Sequence, residues 1–216
     1  MITMTMLVYK NNMLIVSSDE FFRKRKKEMK KEQFKQLKKE FGECASFAIW
    51  QSQDNVKDIS MFDDENIARE LNDKYIFVAL NPAERSASEK VELLKNFHSD
   101  YPHQKDFKLC YALKGTRFWG SYITDLFKSF HITDSAKLNK ALKERPHDVQ
   151  KDKESFLKEL NILSNVKVII ALGRKTERYL KKLLNNEYEI VYVRHYSYYS
   201  SKEDYKKIVL EALKNY

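Results

Sequence analysis

The chain has 216 residues, of which 43% are hydrophobic and 33% are charged, so it can bury a sizeable core in one elaborated domain. Only 4 glycines and 3 prolines exclude a collagen-like, linker-rich or low-complexity chain. The net charge of +9 favours an acidic partner, of which nucleic acid is the usual one.

The two cysteines, Cys44 and Cys110, are too few for a disulfide framework or a four-thiolate metal site. No apolar run approaches eighteen residues, and no segment has the pattern of a signal peptide. We therefore expect a cytoplasmic protein with no four-thiolate metal site and no membrane partner.

The first third of the chain is dominated by a basic helix. Asp19 caps a predicted helix that runs to about Phe41, and residues 20–40 hold ten Lys and Arg against four Glu. Most of the excess charge therefore lies on one helix, which we interpret as a solvated outer face. Residues 1–73 are assigned to an N-terminal Lys-rich helical extension packed on a core of residues 74–216.

The remainder alternates between buried strands and amphipathic helices. Five apolar residues, 76–80, predict a strand buried on both faces, and residues 166–172 and 189–193 predict two more. Helices are predicted over 88–97, 135–144, 151–163, 176–184 and 202–214. This order predicts an α/β fold with three α/β/α layers and a short, mainly parallel central sheet.

Polar residues follow these strands where they end. Asn81 precedes Pro82 at the end of the first buried strand, His195 follows the last one, and Asp125 ends the apolar segment 121–125. Open α/β sheets place their ligand crevices at the carboxyl ends of strands. We therefore expect Asn81, Asp125 and His195 to meet in one crevice.

Three segments resemble motifs of the uracil-DNA glycosylase superfamily. They are Leu80-Asn81-Pro82-Ala83, Tyr122-Ile123-Thr124-Asp125-Leu126-Phe127-Lys128 and His195-Tyr196-Ser197. The superfamily often has asparagine where Asp125 stands and proline where Tyr196 stands, and its iron–sulfur branches carry thiolates that this chain lacks. The resemblance spans residues 74–216 and implies a uracil-DNA glycosylase-like fold.

The resemblance also implies residue roles in base excision from single- or double-stranded DNA. Asn81 would position the attacking water, and His195 would donate to the departing base. An ionised Asp125 only accepts hydrogen bonds, so it favours a cytosine-like or modified pyrimidine over uracil. Phe97 or Phe118 would stack on the flipped base.

Further residues are candidates for contacts with DNA. They are Arg85, Arg174, Arg194, Tyr196, Ser197 and Tyr198. Structural alternatives stay open for each candidate: an Asx-turn at Asn81, a packed His195, a cap or Lys128 partner at Asp125, aromatic core packing, and an ordinary tyrosine-rich loop. Residues 196, 198 and 199 are expected to be exposed.

Three functions are therefore compatible with the sequence. The leading one is a monofunctional DNA glycosylase, a hydrolase of N-glycosidic bonds, for which we expect a monomer that needs no metal and no organic cofactor. The second is a non-catalytic nucleic-acid-binding protein on the same fold. The third is a nucleotide-binding α/β protein, which the lack of a Gly-rich phosphate loop disfavours.

Overall fold

The computed structural model describes residues 29–84, 92–99, 104–185 and 187–216. It also gives the backbone of two strands near the start of the chain, Met4–Tyr9 (β1) and Asn12–Ser17 (β2). These two strands pair with each other in a separate antiparallel sheet. No helix in the described part of the chain is both long and apolar enough to cross a membrane.

The central sheet has five strands in the order β3-β5-β4-β6-β7. Their bounds are Ala45–Phe47 (β3), Asn72–Ala79 (β4), Ser121–Asp125 (β5), Val168–Leu172 (β6) and Glu189–Val193 (β7). Strands β5, β4, β6 and β7 run parallel, whereas β3 pairs antiparallel with β5 at the edge. The fold is thus α/β with a mixed sheet, and the three strands predicted from buried apolar runs are confirmed.

Helices pack against the apolar side chains of both sheet faces. They are Lys31–Phe41 (α1), Asp106–Leu113 (α2), Ser135–Glu144 (α3), Pro146–Leu163 (α4), Arg174–Leu184 (α5) and Lys202–Leu213 (α6). Ile76 and Val78 of β4 join the core formed with α1, α3, α4 and α5. Phe77 and Ala79 point to the opposite face and pack with α2 and α6.

The helix predicted over residues 88–97 is absent from its described part. Residues 92–99 form turns, and Leu94 and Phe97 have left-handed backbone angles, with φ of 64° and 66°. A right-handed helix cannot contain such residues. Instead, the Leu94 N–H donates to the Gly42 carbonyl, and the Ser46 hydroxyl donates to the Leu94 carbonyl. Tertiary bonds to the region of β3 thus replace helical ones.

Two short 3₁₀ helices, Ser60–Asp63 and Glu65–Glu70, precede β4. Of the predicted helix from Asp19 to Phe41, α1 lies among the described residues and 19–28 lie outside them. The expected domain boundary at 73/74 falls inside β4, and β3 pairs with β5, so the sheet draws on both sides of it.

Candidate functional site

The carboxyl ends of the four parallel strands lie along one edge of the sheet. Ala79 of β4 is in register with Asp125 of β5, and Leu172 of β6 with Val193 of β7. Asn81 and His195 each follow their strand by two residues, so the three predicted polar residues share this edge. Strand β6 lies between β4 and β7, so the strands that precede Asn81 and His195 are ~10 Å apart.

His195 has a defined tautomer because its own loop supplies a donor. The Ser197 backbone N–H donates to His195 Nδ1 at 3.2 Å, and Ser197 Oγ lies 2.8 Å from the same atom. An acceptor Nδ1 leaves the proton of the neutral ring on Nε2. Burial lowers the pKa of His195 to about 4, so the ring is neutral near pH 7. His195 thus offers a neutral Nε2–H donor.

Tyr196 is not the exposed aromatic that the sequence predicted. Only 6% of it is exposed, and its ring stacks on His195 with centroids 4.3 Å apart. Its hydroxyl donates to the carboxylate of Asp106, which also accepts from the Ser99 N–H at 2.8 Å. A buried side chain cannot be a wedge inserted into DNA. Tyr196 instead anchors the His195 loop to α2, at the position where the superfamily motif has proline.

Asp125 is sealed inside the protein. It is 1% exposed, and its Oδ2 accepts from Asn96 Nδ2 at 3.0 Å. The same amide nitrogen donates to the Cys44 carbonyl at 2.7 Å. Lys128 Nζ donates to the main-chain oxygen of Asp125, at 2.6 Å, rather than to its carboxylate. A base can therefore reach the carboxylate only after the groups that cover it, Asn96 among them, have moved.

A buried network that the sequence analysis missed surrounds Glu159 of α4. This fully buried carboxylate accepts from Tyr122 Oη at 2.7 Å, from Thr124 Oγ1 at 2.8 Å and from Lys128 Nζ at 2.7 Å. The signal was present in the sequence, because Glu159 shares a helical face with the apolar Phe156. These hydrogen bonds hold the motif of residues 122–128 against α4.

Asn81 uses its amide nitrogen to hold a neighbouring loop. Nδ2 lies 2.8 Å from both the Phe130 and Ile132 carbonyls and 3.0 Å from the Pro82 carbonyl. Because carbonyls only accept, these contacts fix which way the amide faces. Asn81 therefore has a structural role, and only its Oδ1 is suited to orient a water.

The two aromatic candidates lie in different places. Phe118 is buried against Tyr75 near the start of β4, with ring centroids 4.7 Å apart, and it precedes β5. It is thus at the amino edge of the sheet and cannot stack on a base held at the carboxyl edge. Phe97 is also buried, but it follows Asn96, the partner of Asp125. Only Phe97 lies near the candidate site.

The candidate DNA contacts differ in how their charges are engaged. Arg194 and Ser197 are exposed, and the Arg194 guanidinium lies 4.3 Å from the centre of the Tyr198 ring. Arg174 is exposed but pairs with Glu177 at 3.0 Å, which weakens it as a phosphate ligand. Arg85 lies outside the described residues.

Lys175, next to Arg174, is a second cation of the Gly173-Arg174-Lys175 turn that follows β6. Its Nζ is buried and has no hydrogen-bond partner among the described residues, and burial lowers the pKa of Lys175. It lies in the first turn of α5, at the carboxyl edge of the sheet.

Comparisons of this chain with protein-family models, with curated proteins and with solved structures find no match. The resemblance to the glycosylase superfamily therefore depends on the three motifs and on the order of the elements.

Proposed function

We propose that this chain is a DNA glycosylase with a three-layer, uracil-DNA glycosylase-like fold. The observation that supports the proposal is the neutral His195, whose proton is held on Nε2 by the Ser197 N–H. Negative charge develops on the base as the glycosidic bond breaks. A preorganised donor at such a position typically lowers the barrier by about 3 kcal/mol.

The reaction needs only a water in addition to groups of this chain. The bond between C1′ and the base nitrogen breaks, the water adds its hydroxyl to C1′, and the base takes up the released proton. Asn81 Oδ1 orients the water, since the amide nitrogen is held by carbonyls. The base must first leave the duplex stack, at a cost of a few kcal/mol.

The identity of the base depends on Asp125. If Asn96 withdraws, the carboxylate accepts a bond from an exocyclic amine and repels the carbonyl of uracil. We expect the wild type to release modified cytosines in preference to uracil, and Asp125→Asn to reverse that preference. Efficient uracil removal by the wild type, lost in Asp125→Asn, would contradict this assignment.

A second function, binding of nucleic acid without chemistry, is favoured by the burial of Asp125. An excision screen separates the two, using labelled oligonucleotides with uracil, mismatched thymine, hypoxanthine or modified cytosine. The glycosylase leaves alkali-labile abasic sites with at least one of these bases, and Asn81→Ala abolishes them. A binding protein shifts the oligonucleotides in a salt-dependent manner and leaves every strand intact.

A further inference from the structure

Cations and aromatic rings alternate along a surface formed by α2, α6 and the loop after β7. Tyr111 of α2 lies beneath two lysines of α6, with Lys202 Nζ and Lys206 Nζ at 5.0 and 5.2 Å from its ring centre. The loop adds Arg194 over Tyr198, followed by Tyr199. We call this surface the α2/α6 seam; it consists of Tyr111, Arg194, Tyr198, Tyr199, Lys202 and Lys206.

Buried contacts join the loop to α2 and to the candidate site. Lys108 of α2 is buried, and its Nζ donates to the Tyr198 carbonyl at 2.8 Å. The Tyr198 N–H donates to the His195 carbonyl at 3.0 Å. The seam is therefore continuous with the loop that carries His195. An extended ligand bound along the seam would also contact that loop.

The cations of the seam are not neutralised by carboxylates. Arg194, Lys202 and Lys206 form no salt bridge with any residue in the described ranges. Their neighbour Lys207, by contrast, lies 3.4 Å from Asp204. The carboxylate of Asp106, which begins α2, is buried and bonded to Tyr196 and Ser99. The positive charge of the seam thus remains available to a polyanion.

The aromatic rings indicate which polyanion fits. Tyr199 is 91% exposed and Tyr198 is 50% exposed, so neither ring is fully covered by packing in the fold. Exposed rings beside cations suit single strands, because the rings stack on unpaired bases while the cations contact phosphates. In a duplex the bases already stack on one another.

We propose that the α2/α6 seam binds the single-stranded DNA that flanks the candidate site. The position of the strand relative to His195 rests on the proposed function, whereas binding by the seam can be measured without excision. A labelled 16-nucleotide oligo(dT) and a duplex of equal length serve as probes in fluorescence anisotropy over a series of salt concentrations.

The full-length wild type binds the single strand more tightly than the duplex. Tyr199→Ala weakens single-strand binding by about 5- to 150-fold, the range for loss of one stacked base. The double variant Lys202→Gln/Lys206→Gln makes the plot of log affinity against log salt less steep. The magnitude of its negative slope falls by about 1.4, which corresponds to two lost phosphate contacts. The matched control, Lys137→Gln/Lys143→Gln, alters exposed lysines of α3 on the other face and changes neither quantity.

Tighter binding of the duplex, or losses in the seam variants no larger than in the control, would overturn the proposal. Tyr199 is almost fully exposed, so a loss in Tyr199→Ala is not explained by unfolding, and melting temperatures verify this. Excision is measured with the same protein preparations on the oligonucleotides of the excision screen. Binding that depends on the seam, without excision of any base, supports the single-strand site and rejects the glycosylase activity. Excision together with unchanged binding in the seam variants supports the glycosylase activity and rejects the single-strand site.

Discussion

Replacing Glu159 by glutamine tests the buried network that supports the candidate site. Glutamine keeps the shape and one acceptor oxygen for Tyr122 and Thr124, but it removes the charge that faces Lys128 at 2.7 Å. An uncompensated buried ammonium typically costs 3–5 kcal/mol. We therefore expect the free energy of unfolding of Glu159→Gln, measured by urea denaturation, to fall by about 3–5 kcal/mol.

Two further variants make that measurement specific. Glu154→Gln on the same helix alters an exposed residue bonded to Gln150, and we expect a change within about 0.5 kcal/mol. Lys128→Met combined with Glu159→Gln removes both charges, so its loss should be smaller than the sum of the single losses by about 1–3 kcal/mol. A loss below about 1 kcal/mol in Glu159→Gln, or strict additivity, would refute the reasoning.

Three other predictions concern the loop of His195. Burial raises the pKa of Asp106 from 3.8 to about 6, so the folded state holds a proton that the unfolded state has released, and the contribution of Asp106 to stability falls by up to about 3 kcal/mol as the pH rises from 4 to 6. His195, whose pKa is lowered, contributes with the opposite sign, so the test is the difference between wild type and Asp106→Asn in urea denaturation at pH 4–7; parallel curves for the two would argue against it. Tyr196→Phe deletes the donor to Asp106, and a loss of about 1–3 kcal/mol in unfolding free energy is expected, whereas an unchanged value would show that the bond contributes nothing. An NMR titration of His195 should have its midpoint near pH 4, since burial lowers its pKa; a midpoint near 6.5 would show that the surroundings of the ring do not lower it.

The strands could be predicted because their signals are local. The apolar run that ends at Leu80 is too short for a helix and marks β4, and the run over 189–193 matches β7. A cap at Thr133 or Asp134 likewise predicts a helix that begins at Ser135, and the Asp134 side chain accepts from the Lys137 N–H at the start of α3. In these places sequence pattern and tertiary structure agree.

The failures have tertiary causes. Residues 92–97 have a helical sequence pattern but do not form a helix, because Leu94 makes hydrogen bonds with Gly42 and Ser46, which are distant in sequence. Tyr196 was expected at the surface because it lies in a loop rich in tyrosine, but Asp106 offers its hydroxyl a buried acceptor. The order of the strands was enough to predict that Asn81, Asp125 and His195 lie at the carboxyl edge. The hydrogen bonds that hold Asn81 and Asp125 could not be predicted in this way, because their partners are separated from them by 29 to 51 positions in the sequence.

The most direct test of the proposed activity is single-turnover excision by His195→Ala beside the wild type, on the oligonucleotide that the wild type processes best. If a neutral His195 donates to the departing base, the rate falls by about 100- to 1,000-fold while the variant still binds DNA and still unfolds cooperatively on heating. No base release by the wild type from any oligonucleotide, or release by His195→Ala at the wild-type rate, would contradict the account.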